Sequence, residues 1–207
     1  MLLAVDTSTA QIGLALYDES SVLGELLWHT RAHHTAELAP AVHDLLTRTG
    51  ATMKDIRALG VALGPGSFTS LRVGLAFVKG LSLARCLPLI GIPTLDILAA
   101  AQPPSDLPLA AVLQAGRGRL AVVWYQSTGR GWQAQGEPLV STAEDLAAHI
   151  ESPTLVCGEL TGEERQRLRK NRQVRLAAPA ACVRRPSVLA ELARARWQAG
   201  QVDSAAA

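Results

Sequence analysis

Cysteine is scarce in this chain: its 207 residues include three, which are scattered and form no Cys-x-x-Cys pair. An odd number of isolated cysteines excludes a disulfide framework and a zinc ribbon, and it favours a reducing compartment. Aromatic residues make up only 4% of the chain. The net charge at pH 7 is +2, so the overall composition does not indicate a polyanion-binding protein. The cysteines are Cys86, Cys157 and Cys182.

The chain also lacks long uninterrupted apolar runs. Glycine, lysine and arginine interrupt the longest one, so none reaches the length of a membrane span. The first residues, Met-Leu-Leu-Ala-Val-Asp, have no basic region and reach a charge too early for a signal peptide. We therefore expect a cytoplasmic protein that does not associate with membranes.

The most informative segment that is present runs from Gly64 to Gly74, Gly-Pro-Gly-Ser-Phe-Thr-Ser-Leu-Arg-Val-Gly. The glycines and the proline predict a sharp turn after a strand over 58–63, with Ser67 as the N-cap of a helix over 67–84. That helix is apolar on nearly all sides, so it must be covered on all sides. We expect a partner chain to cover one face. Its apolar side chains are Leu71, Val73, Leu75, Phe77, Val78, Leu81 and Leu83.

The order of predicted elements repeats once along the chain. The first half predicts strands over 2–5, 12–17 and 22–28, a helix over 35–48 that ends at Gly50, and the strand and helix described above, followed by a strand over 87–92. A short helix over 94–101 and a proline-rich linker over 102–108 follow. The second half predicts strands over 109–114, 120–126 and 132–140, a helix over 141–150, a strand over 154–157, a helix over 163–170, a strand over 174–176 and a last helix over 186–198.

This repetition predicts an α/β protein of the actin-like (ASKHA, ribonuclease H-like) class. Each half has the order βββαβαβ, with a mixed sheet flanked by helices. We expect an N-terminal half over 1–102, which carries the partner-binding helices, and a smaller C-terminal half over 103–207.

In an actin-like protein the turn after the first strand is a candidate phosphate site. Here it reads Asp6-Thr7-Ser8, and an aspartate at a strand end can hold a hydrated metal. The alternative is a vestigial turn whose side chains bond nearby backbone groups. The matching turn of the second half, Gln114 to Gly118, offers no carboxylate, so we predict no metal site.

Further candidate nucleotide or phosphate contacts lie in the glycine segment. Gly64, Gly66 and Ser67 precede a helix, but no Gly-Lys-Ser/Thr follows, so the segment is not a P-loop. A structural turn and a contact with a partner or nucleotide both remain open there. Arg72 either extends to solvent or pairs with a partner or a bound nucleotide.

The remaining candidate chemistry is weak. His29, His33, His34 and His43 do not share one helix face with a third ligand, so we expect exposed or interface histidines. Ser67 and Ser70 have no recognisable nucleophile partners, which argues against a peptidase. We predict no catalytic residue.

Three segments together resemble the TsaB family: Leu3–Ser8, His34–Pro40 and Gly64–Gly74, with a looser match over 186–193. The resemblance implies a non-catalytic scaffold subunit that supports TsaD, the catalytic subunit that makes threonylcarbamoyladenosine next to the anticodon of certain tRNAs. It also implies a TsaE-type ATPase as a partner, self-association as a homodimer, ATP or ADP only within the complex, and tRNA only through the complex. The chain departs from the family at Gln114-Ala-Gly116, where members usually read Asp-Ala-Arg.

In the family two helices of the N-terminal half form a bundle with the catalytic subunit or with a second copy. Here those helices are about 35–48 and 67–84. Glycine in such a bundle allows close approach of the two chains. The interface side chains we predict are Leu38, Val42, Leu45, Leu71, Gly74, Leu75, Val78 and Leu81.

Two other functions stay open at this stage. An actin-like phosphotransferase, such as a small-molecule kinase, would use Asp6 and the glycine turns. A tRNA-binding module would use the basic residues after Thr161, with Arg165, Arg167, Arg169 and Arg172 as the main contacts. The cluster also includes Lys170, Arg175, Arg184, Arg185, Arg194 and Arg196.

Overall fold

A computed structural model describes residues 1–31, 33–129 and 131–204. The chain divides into two compact units. Unit 1 comprises Met1–Thr94 together with the residues from Arg185 on, and unit 2 comprises Leu95–Arg184. The predicted boundary after residue 102 is therefore wrong, and the predicted linker over 102–108 is a loop of unit 2. None of the described helices is both long and apolar enough to cross a membrane.

The sheet of unit 1 has five strands in the order β3-β2-β1-β4-β5. β1, β2 and β3 pair antiparallel, whereas β4 and β5 continue the sheet parallel to β1. β1, β4 and β5 are buried along their whole length, as expected for parallel strands covered on both faces. The strands are β1 (Leu2–Asp6), β2 (Gln11–Tyr17), β3 (Val22–His29), β4 (Ala58–Ala62) and β5 (Leu89–Ile92).

Two helices, α1 (His34–Thr49) and α2 (Phe68–Arg85), cover one face of this sheet. The sequence predicts both within two residues, as well as the N-cap at Ser67 and the left-handed C-cap at Gly50. The opposite face is covered by α6 (Pro186–Gln198). A side chain at Gly60 would touch Ala193 of α6. The last helix therefore belongs to unit 1, which sequence order alone did not indicate.

The sheet of unit 2 has the order β11-β10-β6-β7-β8, with β9 also paired to β7. β6 and β7 are antiparallel, and β10 and β11 run parallel to β6. The predicted third strand over 132–140 is wrong in one respect: it consists of two short strands that both pair with β7. The strands are β6 (Leu109–Gln114), β7 (Leu120–Ser127), β8 (Trp132–Ala134), β9 (Leu139–Ser141), β10 (Thr154–Gly158) and β11 (Val174–Leu176).

Alternate residues along the strands of unit 2 supply two cores. Ala111 and Leu113 point to the face that packs against α3 (Thr94–Ala100), whereas Ala110 and Val112 point to the opposite face. That opposite face packs against α4 (Ala143–His149) and α5 (Gly162–Leu168). With β8 and β9 counted together as the third strand, both units have the order βββαβαβ and the same strand arrangement, which confirms the predicted duplicated α/β fold.

Candidate functional site

The turn after β1, the candidate phosphate site, is buried and internally bonded. Asp6, Thr7 and Ser8 are all at most 2% exposed. A carboxylate oxygen of Asp6 accepts from the Ser8 N–H at 2.8 Å. The Thr7 hydroxyl donates to the Ser70 carbonyl of α2 at 2.7 Å, and the Ser8 hydroxyl lies 2.9 Å from that of Thr94. A phosphate could bind these side chains only by displacing bonds they already make.

The glycine segment packs directly onto this turn. The Ser67 N–H donates to the Ser8 carbonyl at 2.7 Å, and a side chain at Gly66 would collide with that same carbonyl. Gly64 has φ of 111°, in the region that favours glycine, and its N–H donates to the Thr94 hydroxyl at 2.9 Å. These contacts favour the structural turn over the phosphate loop. Gly64, Gly66 and Ser67 thus contact other residues of unit 1, and the nucleotide contacts predicted there stay predictions.

α2 has one buried and one exposed face. Ser70, Gly74, Val78 and Ser82 recur every four residues on the buried face. A side chain at Gly74 would collide with the Thr7 hydroxyl, so this glycine allows close approach inside unit 1. On the exposed face Phe68 and Leu83 are 75% and 65% exposed. Thr69, Arg72, Ala76, Gly80 and Ala84 complete this exposed face.

A groove of about 500 Å³ lies between the exposed parts of α1 and α2. Its walls are mostly apolar; Thr35 and Ala39 contribute from α1, and Ala76 and Phe77 from α2. Arg72 stands at its rim with the guanidinium carbon 5.1 Å from the centre of the Phe68 ring. This cation–π contact holds the arginine over an aromatic surface that is itself exposed. We call the groove and the exposed face of α2 together the α2 surface.

The predicted interface residues fall into two groups. The predictions for Val42, Leu45, Gly74 and Val78 are wrong, because the chain's own core covers them. Leu38, which is 2% exposed, belongs to the same core and forms the floor of the groove. The remaining three lie half-buried and stay predictions: Leu71, Leu75 and Leu81.

Sequence reasoning missed the most exposed apolar residues of this surface. Phe68, Ala76 and Leu83 lie opposite the buried stripe. The small residues Gly74, Ser70 and Ser82 were the available signal, because small side chains every four residues mark the face that approaches the sheet most closely.

The histidines and acids of α1 stabilise its first turn. His34 is buried, with Nε2 2.9 Å from the Thr9 carbonyl, so the prediction of an exposed or interface residue is wrong for it. Glu37 accepts from the Trp28 indole at 2.7 Å and from the Thr30 hydroxyl at 3.0 Å. The Trp28 hydrogen bond is the main reason that the pKa of Glu37 lies below its usual value. Among the described residues no group of three His, Cys, Asp or Glu is placed to hold a metal ion.

The turn after β6 also departs from a phosphate loop. Gly116, Arg117 and Gly118 all have positive φ, which folds the turn tightly. The Gln114 amide donates to a carboxylate oxygen of Glu164 at 2.7 Å. An aspartate at position 114 would place a second negative charge against Glu164. The glutamine is therefore matched to its neighbour in this chain.

Comparison with known proteins identifies the family. A family model described as TsaD, tRNA N6-adenosine threonylcarbamoyltransferase, matches residues 28–179. The tRNA threonylcarbamoyladenosine biosynthesis protein TsaB of Bacillus subtilis strain 168 is 33% identical over 125 residues, which are 60% of this chain and 55% of that protein. The TsaB protein of Escherichia coli K12 is 40% identical over 98 residues, or 47% of this chain and 42% of that protein. This chain belongs to the TsaB family. It spans about half the length of the curated relatives it matches.

Solved structures agree with this assignment. YeaZ from Pseudomonas aeruginosa superposes with a TM-score of 0.80 at 27% identity, covering 99% of this chain and 95% of that one. Component A of the (R)-2-hydroxyglutaryl-CoA dehydratase of Acidaminococcus fermentans matches at a TM-score of 0.53 with 10% identity, over 92% of this chain and 96% of that one. That second likeness concerns the fold alone. The predicted actin-like class is confirmed.

Proposed function

We propose that this chain is a non-catalytic subunit for the synthesis of threonylcarbamoyladenosine in tRNA, and that it binds a TsaD-type catalytic subunit through the α2 surface. The family assignment supports a role in threonylcarbamoyladenosine biosynthesis. The single observation that carries the mode of action is the exposed apolar face of α2, where Phe68 and Leu83 are left uncovered by the rest of the chain. Exposed apolar patches of this kind typically mark protein-binding sites.

The burial of the candidate phosphate turn supports a role without chemistry. Asp6 is 1% exposed, and Thr7 and Ser8 are engaged in bonds that hold α2 in place. The turn therefore serves to position the docking helix. On this proposal ATP or ADP and a TsaE-type ATPase act only in the assembled complex, which contacts tRNA in the cytoplasm, and a second copy of this chain occupies the α2 surface when the catalytic subunit is absent.

Variants of the exposed face test the proposal. Ala76→Arg and Leu83→Arg place a charge where the partner would exclude water, which costs several kcal/mol for an unpaired charge. Neither side chain contributes to the core of unit 1, so we expect unchanged melting temperatures. Co-purification with the TsaD-type subunit of the same organism should fall at least tenfold. The matched control is Val140→Arg, which changes a residue of unit 2 that is exposed to a similar extent, 62% against 65% for Leu83.

Two outcomes would contradict the proposal. Full co-purification of both α2 variants would show that the α2 surface is not the docking site. Magnesium-dependent ATP turnover by the purified chain alone, lost in Asp6→Asn, would favour the phosphotransferase instead. That measurement needs a folding control, because Asp6 is buried.

A further inference from the structure

The basic residues after Thr161 do not form one surface. Arg184 is fully buried against Glu159, and Arg167 pairs with Glu144 and Glu163. Arg165 donates to the Ala177 carbonyl at 2.7 Å. The last three belong to unit 1, where each has its own partner: Arg185 with Glu25, Arg194 with the Asp18 carbonyl and the Tyr17 ring, and Arg196 with the Gly91 carbonyl. Six of the ten cations thus have structural roles.

The other four are exposed and adjacent. Three of them follow the end of α5 and the fourth lies within β11: Arg169, Lys170, Arg172 and Arg175. Within the described part of the chain, the side chains of the first three have neither a hydrogen bond nor an ion pair, and Arg175 donates only to the Arg172 carbonyl, at 2.6 Å. The segment from 169 to 175, Arg-Lys-Asn-Arg-Gln-Val-Arg, contains no acidic residue. We call these four residues the basic turn.

The backbone of the basic turn is held rigidly by Asn171. Its side-chain amide donates to the carbonyls of Ala147 and Ile150 at 2.7 and 2.8 Å, and its oxygen accepts from the Gln173 N–H at 2.8 Å. Such a clamp fixes where the four cations emerge and reduces the ordering cost of binding. An acidic residue, Glu151, directly follows Ile150, one of the two residues that the Asn171 amide binds.

The chemistry of this surface fits a phosphate backbone. Three of the four cations are arginines, whose planar guanidinium binds phosphate oxygens in pairs. They line a shallow groove of about 550 Å³, whose apolar members Val174 and Leu176 are buried or half-buried. A protein partner would need an apolar centre, which this surface does not expose. No aromatic residue lies in the segment to stack on a base.

We propose that the basic turn is an RNA-binding surface that holds phosphates of a structured tRNA without reading its sequence. The inference rests on the proposed function in one respect, namely that the RNA is a tRNA. It assigns RNA contact to this chain itself, whereas the family resemblance places tRNA only in the complex. The sequence predicts four main contacts, and the basic turn contains two of them, Arg169 and Arg172. The other two, Arg165 and Arg167, have structural roles, and the basic turn contains Lys170 and Arg175 in addition.

The test measures fluorescence anisotropy of a labelled, unmodified tRNA titrated with the full chain at 50 and 200 mM salt. Four phosphate contacts predict an affinity loss of about a hundredfold over this range, because each contact contributes about −0.9 to the slope of log K against log salt. R169Q/R172Q/R175Q should bind at least tenfold more weakly at 50 mM salt and lose only about threefold to fourfold between the two conditions. The matched control, R57Q/R117Q/R119Q, removes three exposed arginines elsewhere and should retain most of the affinity and the steep salt dependence.

The inference fails if the two triple variants weaken tRNA binding equally, because net charge would then explain it. It also fails if the wild-type chain does not bind tRNA, or if an acidic peptide or anionic vesicles bind the basic turn more tightly than tRNA does. Co-purification with the TsaD-type subunit separates this result from the proposed function. The basic-turn variant should co-purify normally, whereas Ala76→Arg should lose the subunit and keep its affinity for tRNA.

Discussion

Single residues at the start of α2 determine how closely this helix approaches the sheet. Gly74 lies against the Thr7 hydroxyl, and that hydroxyl donates to the Ser70 carbonyl one turn earlier. The serine and threonine hydroxyls of the turn after β1 thus contact helical residues of the chain itself. In a phosphate loop such groups would contact the ligand. A side chain only one carbon larger than glycine would disturb this arrangement.

Gly74→Ala should therefore lower the free energy of unfolding by about 1–3 kcal/mol, since its methyl group has no room beside Thr7. Gly80→Ala in the same helix is the control. No atom lies within 4 Å of a side chain placed there, so the higher helix propensity of alanine should stabilise the protein by up to about 1 kcal/mol. Urea denaturation measures both. Equal effects of the two substitutions would contradict the close contact.

At the scale of elements, the first turn of α1 is attached to β3 by one carboxylate. Glu37 accepts from Trp28 at the end of β3 and from Thr30 in the connection. These bonds are stronger to the ionised carboxylate than to the protonated group, so they lower its pKa below the value of 4.5 expected for the unfolded chain. Their contribution to stability is therefore present above that value and is lost as the pH falls through the pKa of the folded state.

Glu37→Gln should lower the melting temperature at pH 7 by a few degrees, because a neutral amide replaces the charge-assisted hydrogen bonds from Trp28 and Thr30 with weaker ones. The difference from wild type should shrink as the pH falls below 4.5 and through the pKa of the folded state, because protonation removes the same negative charge from the wild-type protein. Thermal unfolding followed by circular dichroism across this pH range measures it. Asp44→Asn, which removes an exposed pair with Arg48 on the same helix, should have little effect at either pH. A constant difference between Glu37→Gln and wild type would contradict the assignment.

At the scale of the whole molecule, unit 1 is built from two separate stretches of the chain. Its sheet is completed on one face by α6, which follows unit 2 in sequence. The contact is close: Ala193 is fully buried and lies where a side chain at Gly60 would be, and Pro186 lies beside Gly13. Ser187 also donates to Glu25 of β3 through its N–H and its hydroxyl.

Ala193→Leu should destabilise unit 1 by about 1–3 kcal/mol, since three extra carbons must fit between α6 and Gly60. Ala195→Leu, two residues further along α6, is the control, because Ala195 is exposed and should tolerate the change within about 0.5 kcal/mol. Chemical denaturation monitored by tryptophan fluorescence, to which Trp28 and Trp197 of unit 1 contribute, measures both. A tolerated Ala193→Leu would mean that α6 does not pack on this sheet.

The sequence predicts local structure well where a chemical signal lies within a few residues. The N-cap at Ser67, the C-cap at Gly50, most strand bounds and the repeated element order follow from turn residues and apolar runs. What it cannot supply is the choice of the apolar face that the chain's own sheet covers. On α2, which is apolar on nearly all sides, this explains the wrong prediction at Val78, and on α1 the apolar stripe that contains Val42 and Leu45 packs on the same sheet instead of on a partner. That choice depends on the sheet beneath, whose strands come from distant parts of the chain.

The candidate site shows the same limit. The phosphate interpretation of Asp6, Thr7 and Ser8 was reasonable from their place after β1, but Gly66 and Thr94, which occupy the space around them, are more than 55 residues away in sequence. The basic cluster likewise appeared continuous, and only the tertiary contacts distinguish Arg169 and Arg172 from their paired neighbours. Burial and pairing are properties of the folded chain, and residue type alone does not determine them.

The discontinuity of unit 1 has a consequence for biosynthesis. While a ribosome makes the 90 residues from Leu95 to Arg184, which takes roughly 5 to 18 s at about 5–20 residues per second, the first sheet has left the exit tunnel without its covering helix. Unit 2 is continuous, so all of its residues leave the exit tunnel before α6 does. The domain synthesised second can therefore be the first to finish, and the earliest strands stay open to chaperones until α6 has also left the tunnel.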